Sequence, residues 1–177
     1  MKKLITYSLS VSMLALFSIS AISQNVAVID TQAAILQTQV AQDAFKALEE
    51  ETEYSSMVEQ AQKLQNDRQA LVETLQKDAE TLSNEDISEL QKDIQEKTAD
   101  LEFILGKIQT KQNETIQAVA TQLNPAMMQI INVLIVAKKI QLLLGADKAL
   151  YFDSSVSITE QVTDALDGAA TAESESN

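Results

Sequence analysis

Two heptad seams, separated by one polar tetrapeptide, set the tightest limit on what this chain can fold into. The first runs through Tyr54, Met57, Ala61, Leu64, Arg68, Leu71, Leu75, Asp78 and Leu82. The second runs through Ile87, Leu90, Ile94, Lys97, Leu101, Ile104, Ile108, Lys111, Thr115 and Ala118. Steps of three and four residues keep one stripe of a helix facing a partner helix. Between the seams stands Ser83-Asn84-Glu85-Asp86. A serine followed three residues later by an acid is a capping-box pattern, and the acids also suit the positive end of a helix dipole. The alternative is one continuous rod through Ser83. The cap and the matched arm lengths favour an antiparallel hairpin with its tip near 83–86. Arms of about 30 residues at 1.5 Å per residue reach about 45 Å. Folding them back sets Leu75 against Ile94 and Ala61 against Ile108, with Arg68 opposite the acids from Asp100 to Glu102.

The flanking segments have a different character. Val26-Ala27-Val28-Ile29 reads as a short strand buried on both faces, and Asp30 or Thr31 can cap a helical turn through Leu36. A polar stretch, 37–42, leads into the arm. Past the hairpin, Pro125 is expected to end or bend the returning helix, with Asn124 pushed out of helical geometry. Ala126 to Ala137 is then a buried helix, too short to cross a bilayer. Ile140 to Leu144 and Ala149-Leu150-Tyr151-Phe152 are strand candidates. Thr159 can cap a last helix that Gly168 closes. The expected fold is therefore α+β and mostly helical. A small β-containing oligomerisation body (24–45 and 119–168) carries an inserted hairpin (46–118), and a disordered acidic tail follows (169–177). So small a body with open strand edges gains from association with further copies.

The N-terminus has the form of a secretory signal. Lys2 and Lys3 precede a mostly apolar stretch from Leu4 to Ile19, and Ala21-Ile22-Ser23 supplies small residues before a cleavage site at Gln24. Residues 1–23 are thus expected to be removed on export. The full chain has 13 basic and 26 acidic residues; without Lys2 and Lys3, 11 basic residues remain, a net charge of −15. Such a charge makes nucleic acid and anionic membranes poor partners.

Chemistry is sparse. There is no Cys and no His, so thiol nucleophiles, imidazole bases and the usual zinc ligands are missing together. Acid runs such as Glu49-Glu50-Glu51 lie on a helix open to solvent, where nothing separates their pKa values for acid–base work. No phosphate loop, nucleophile elbow or calcium loop is present. The expectation is a protein without cofactor or catalytic residues. Four apolar residues sit off the seam: Val58, Val72, Phe103 and Leu105. Broadened packing between the arms accounts for three of them. Phe103 faces away, and Gly106 beside it costs the helix about 1 kcal/mol relative to Ala.

Taken in order, these features resemble the Skp/OmpH family of periplasmic chaperones. The resemblance rests on the signal segment, Val26-Ala27-Val28-Ile29-Asp30, the charged hairpin, Asn124-Pro125, Leu142-Leu143-Leu144, Ala149-Leu150-Tyr151-Phe152-Asp153 and Ile158-Thr159. It implies a homotrimer in the periplasm, joined through the bodies at Val26, Val28, Leu142, Leu144 and Tyr151. It also implies ATP-independent holding of unfolded outer-membrane proteins between the arms. If off-seam apolar residues line such a cavity, Val58, Val72, Phe103 and Leu105 are the candidates for contact with a client. Familiar members are basic on their arms, and this chain is acidic, which argues against membrane or lipopolysaccharide contact. A structural coiled-coil spacer of the cell envelope is the other reading that the composition allows.

Overall fold

The computed structural model describes residues 25–175. The expected signal segment and its cleavage before Gln24 lie outside the described residues.

Strand β1 (Val26–Ile29) leads into helix α1 (Thr31–Leu36), then α2 (Gln39–Glu50), α3 (Thr52–Asp78) and α4 (Asn84–Lys138). Strand β2 (Leu142–Gly145) and helix α5 (Thr159–Glu175) complete the order. The strands pair in parallel, Val26 beside Leu142 and Ile29 beside Gly145. Parallel strands cannot be joined by a tight turn, so everything from α1 to α4 is one long crossover between them. Ala27, Ile29 and Leu143 on one sheet face pack with Ala34 of α1, Ala41 of α2, Val119, Leu123, Met127 and Ile131 of α4, and Val162 and Leu166 of α5. The fold is α+β and mostly helical, with a long helical hairpin rising from this body.

Each early helix starts where a side chain can take an orphan N–H. Asp30 accepts from Ala33 N at 2.8 Å, and Thr38 accepts from Ala41 N at 3.2 Å. Thr38 therefore starts α2 inside the stretch expected to be polar linker. At the tip, Ser83 Oγ accepts from Asp86 N while Asp86 accepts from Ser83 N, each at 3.2 Å. This completes the capping box, and the chain folds back as a hairpin rather than a rod. Seam residues face the partner arm as expected, from Tyr54, Met57, Ala61 and Leu64 to Ile104.

Several sequence expectations fail, each for a physical reason. Pro125 lies inside α4, which continues to Lys138. Its missing N–H leaves the Thr121 carbonyl without its helical donor. Thr121 and Pro125 are both exposed, however, so water can take that carbonyl, while Leu123 and Met127 hold the other face in the core. The expected buried helix from Ala126 is buried on one side only; Met128, Val133 and Val136 are exposed. α4 also contains an 18-residue window with mean hydropathy 1.4 that is only 22% buried, making it long and apolar enough to cross a membrane by length and composition alone. Ala149-Leu150-Tyr151-Phe152 forms no strand. The free side of β1 is taken instead by Ser157, which bridges Val28, and Ile158 N donates to Val28 O at 2.9 Å. Thr159 does not cap α5. Its hydroxyl accepts from Asp30 N at 3.0 Å, tying the end of β1 to that helix, and Ser157 Oγ accepts from Thr159 N at 3.3 Å. α5 passes through Gly168 and reaches Glu175.

The end of α4 is closed by Lys139 in the left-handed conformation, φ 53° and ψ 41°. Ile140 N donates to Ile135 O at 2.9 Å and Lys139 N to Val136 O at 3.3 Å. These are the paired bonds of a Schellman ending, formed without glycine.

Candidate functional site

The hairpin joins the body through a break between α2 and α3. Glu51 has extended backbone geometry and begins α3 without a side-chain cap bond. Its carboxylate turns across to the other arm, where Lys111 Nζ lies 3.3 Å from Glu51 and 3.2 Å from Glu53. Hydrogen bonds to Glu53 first and Glu51 second hold the Lys111 ammonium above its ordinary pKa. One turn away, Gln112 Nε2 donates to the Tyr54 hydroxyl at 2.8 Å. The sequence signal for this clamp was a lysine at a seam position; the fold-back register set it opposite Val58, and the structure brings it to Glu51 and Glu53 instead. Arg68, expected to pair with Asp100 to Glu102, forms no ion pair among the described residues, and its Nε is buried without a hydrogen-bond partner.

On one flank of the hairpin near this clamp lies an open groove of about 510 Å³, lined by Met57, Phe103, Gly106 and Thr110, with Glu53, Glu102, Lys107, Lys111 and Glu114 around them. Phe103 is 63% exposed, the Lys107 ammonium sits 4.8 Å from its ring centroid, and a Cβ built on Gly106 meets nothing within 4 Å. An ammonium over a ring face is a cation–π contact. Phe103 thus stays out of the interarm packing, as its heptad position requires.

The other three off-seam residues do not join it. Val58 lines a separate recess with Glu49, Tyr54 and Ser55. Leu105 is exposed, two residues and therefore about 200° around α4 from Phe103. Val72 is half-buried and lies about 21 Å farther along its arm than Val58. The four are spread around the hairpin, not gathered on one face.

In the body, the strand register puts Val26, Val28, Leu142 and Leu144 on one sheet face, opposite the core. Leu142 is 49% exposed, while Val26 and Leu144 are half-buried. Val28 is the exception, at 2% exposure within its own chain. It supports the body from inside and presents no surface. Tyr151 is 85% exposed beside an equally bare Leu150. With Met128, Val133 and Val136 of α4, these leave the body with far more uncovered apolar side chains than isolated surface residues account for. Among the described residues, no group of three or more His, Cys, Asp or Glu is placed to hold a metal ion.

The outer membrane protein (OmpH-like) family model matches residues 25–166. No curated protein sequence matches the chain. Among solved structures, a candidate outer membrane chaperone (OmpH-like) from Caulobacter crescentus CB15 superposes with a TM-score of 0.45 at 16% identity, covering 81% of this chain and 84% of that one.

Proposed function

Because the chain belongs to the outer membrane protein (OmpH-like) family, we propose that it is an ATP-independent periplasmic holdase, which binds unfolded outer-membrane proteins between the helical arms of a homotrimer. The observation that carries this reading is apolar surface left open on an otherwise charged hairpin, with Phe103 in its groove the clearest instance. Weak apolar contacts spread along several arms hold an unfolded chain without demanding a sequence, and enclosure multiplies them. The uncovered residues of the body, Leu142, Tyr151, Met128, Val133 and Val136, support self-association there: a second and third copy would cover them, and the segment 149–152 would find the strand partner it lacks in a single chain.

The charge of the exported chain bears on how clients are held. At −15 it repels an acidic client at long range, so holding rests on short-range apolar contact. The test is suppression of aggregation of an unfolded outer-membrane β-barrel. The wild-type chain is expected to suppress it, Phe103→Ser to suppress it less while remaining helical, and added salt to leave affinity for an acidic client unchanged or improved. A chain that binds one folded envelope protein and ignores unfolded barrels is a structural spacer instead. Native mass spectrometry checks the trimer; Tyr151→Asp is expected to weaken it. Val28→Asp is a poor probe, because it places a charge inside the body itself.

A further inference from the structure

Gly106 has no conformational or packing reason to be glycine. It lies inside α4, no described glycine has positive φ, and an added Cβ meets nothing. A helical glycine there costs about 1 kcal/mol relative to alanine. What its missing side chain does is keep the middle of the 510 Å³ groove open between Phe103 and Thr110. Both cations of the groove are already committed. Lys107 lies over the Phe103 ring, and Lys111 is held by Glu51 and Glu53. Two lining carboxylates, Glu102 and Glu114, form no ion pair among the described residues. They are twelve positions apart on one helix, about 18 Å at 1.5 Å per residue. An extended peptide covers that distance in about five or six residues.

We propose that this groove docks an extended peptide segment with an apolar or aromatic centre over Gly106 and with Lys or Arg residues five or six positions apart meeting Glu102 and Glu114. The proposal rests on the holdase reading and narrows it to the kind of client segment that is gripped. Complementary charge selects the segment and sets its register, while the apolar centre supplies contact area. An acidic chaperone thereby finds the basic-flanked apolar stretches of a client whose overall charge repels it.

The probe is a fluorescein-labelled synthetic nonapeptide with Leu and Phe at its centre and two Lys six positions apart, titrated with the full chain and followed by anisotropy. Its counterpart has Glu at both Lys positions. The Lys peptide is expected to bind about tenfold tighter or better, a preference that shrinks as salt rises. Gly106→Leu fills the groove with a good helix former and is expected to weaken binding about tenfold while raising helix stability. Gly106→Ala, which restores helix propensity with only a methyl, is expected to bind within about threefold of wild type. Glu102→Gln and Glu114→Gln each weaken binding and flatten its salt dependence. Equal binding of both peptides, or undiminished binding by Gly106→Leu, overturns the proposal. The same preparations, assayed for suppression of barrel aggregation, separate the two readings. Suppression by a wild-type chain that does not bind the Lys peptide removes the groove and keeps the holdase. Peptide binding without suppression keeps the groove and removes the holdase.

Discussion

In the half of the hairpin nearer the body, Tyr54, Met57, Ala61 and Leu64 of α3 and Ile104 of α4 are buried. In the outer half, Leu71, Leu75, Leu82, Ile87, Leu90 and Ile94 occupy the same seams and are only half-buried. Asp78 and Lys97 stand in the outer seam, and at the base α2 adds Phe45 and Leu48 to the buried cluster, whereas toward the tip two helices alone leave one side of every seam residue in water. The polar links follow the same division. The bonds of Lys111 to Glu51 and Glu53 and of Gln112 to Tyr54 cross between the arms at the base. In the outer half, the side-chain bonds, such as Gln69 to Glu73 and Lys77 to Glu73, stay within one helix. Local opening free energy is therefore expected to fall from base to tip. Amide hydrogen exchange along the arms measures this gradient directly.

The largest expected effect comes from cutting the same chemistry out of each half. Ile104→Ala empties a buried site and is expected to cost about 3 kcal/mol. Leu75→Ala, half in water already, is expected to cost about 1 kcal/mol. Urea denaturation of both variants tests the comparison, and equal losses would show the outer half to be as well packed as the base. Tyr54→Phe strands the Gln112 amide without its partner and is expected to cost about 1 kcal/mol, with faster exchange confined to the base.

At the tip, Ser83→Ala removes the cap and is expected to cost the start of α4 about 1 kcal/mol, visible as fraying there and little elsewhere. The same cap has a pH dependence. Hydrogen bonds from the Ser83 hydroxyl, then from its backbone N–H, hold the Asp86 carboxyl below its ordinary value of 3.8. Its folded pKa is depressed, so the stabilisation is complete above the unfolded value and disappears as pH falls through the lower folded one. Amide protection at the tip, measured relative to the intrinsic exchange rate at each pH, is expected to fall below about pH 4 in the wild type and to respond less in Ser83→Ala. The smallest effect belongs to Arg68, between the two halves. Replacing it by Met removes a buried donor without a partner and keeps its apolar stem, so the change is expected to be neutral to slightly stabilising in urea. A clear loss of stability would reveal a partner for Arg68 beyond those in the single chain.

The groove shows what sequence reading reached and where it stopped. Phe103 was legible as an outward-facing residue because heptad phase is a local property. Gly106 was legible as an anomaly for the same reason. That Met57, Thr110, Glu102 and Glu114 surround the same hollow was not, because their gathering depends on how α3 lies along α4. Val58, Val72 and Leu105 share one off-seam phase and Phe103 another, and the structure keeps them apart on the hairpin, since phase says nothing of height along an arm. The family resemblance makes Val28 a contact for other copies, and it lies on the sheet face opposite the core. It is nevertheless covered, by the Ser154–Val156 turn and the Ser157 bridge that return to β1 from far along the chain.

By itself the sequence determined what depends on neighbours within a turn or two: both helical arms, the tip with its capping box, the first strand, and the acidic surface. Those follow from the 3.6-residue period, from side chains that reach the nearest free N–H, and from charge, none of which needs a distant partner. Tertiary structure decided the rest. It carried α4 through Pro125 without ending it, by holding Leu123 and Met127 in the core where the orphaned carbonyl is open to water. It turned Thr159 from a helix cap into a tie to Asp30, and it left 149–152 unpaired by giving the free side of β1 to Ser157. In each case the local preference amounts to a few kcal/mol or less, and several buried side chains acting together outweigh it.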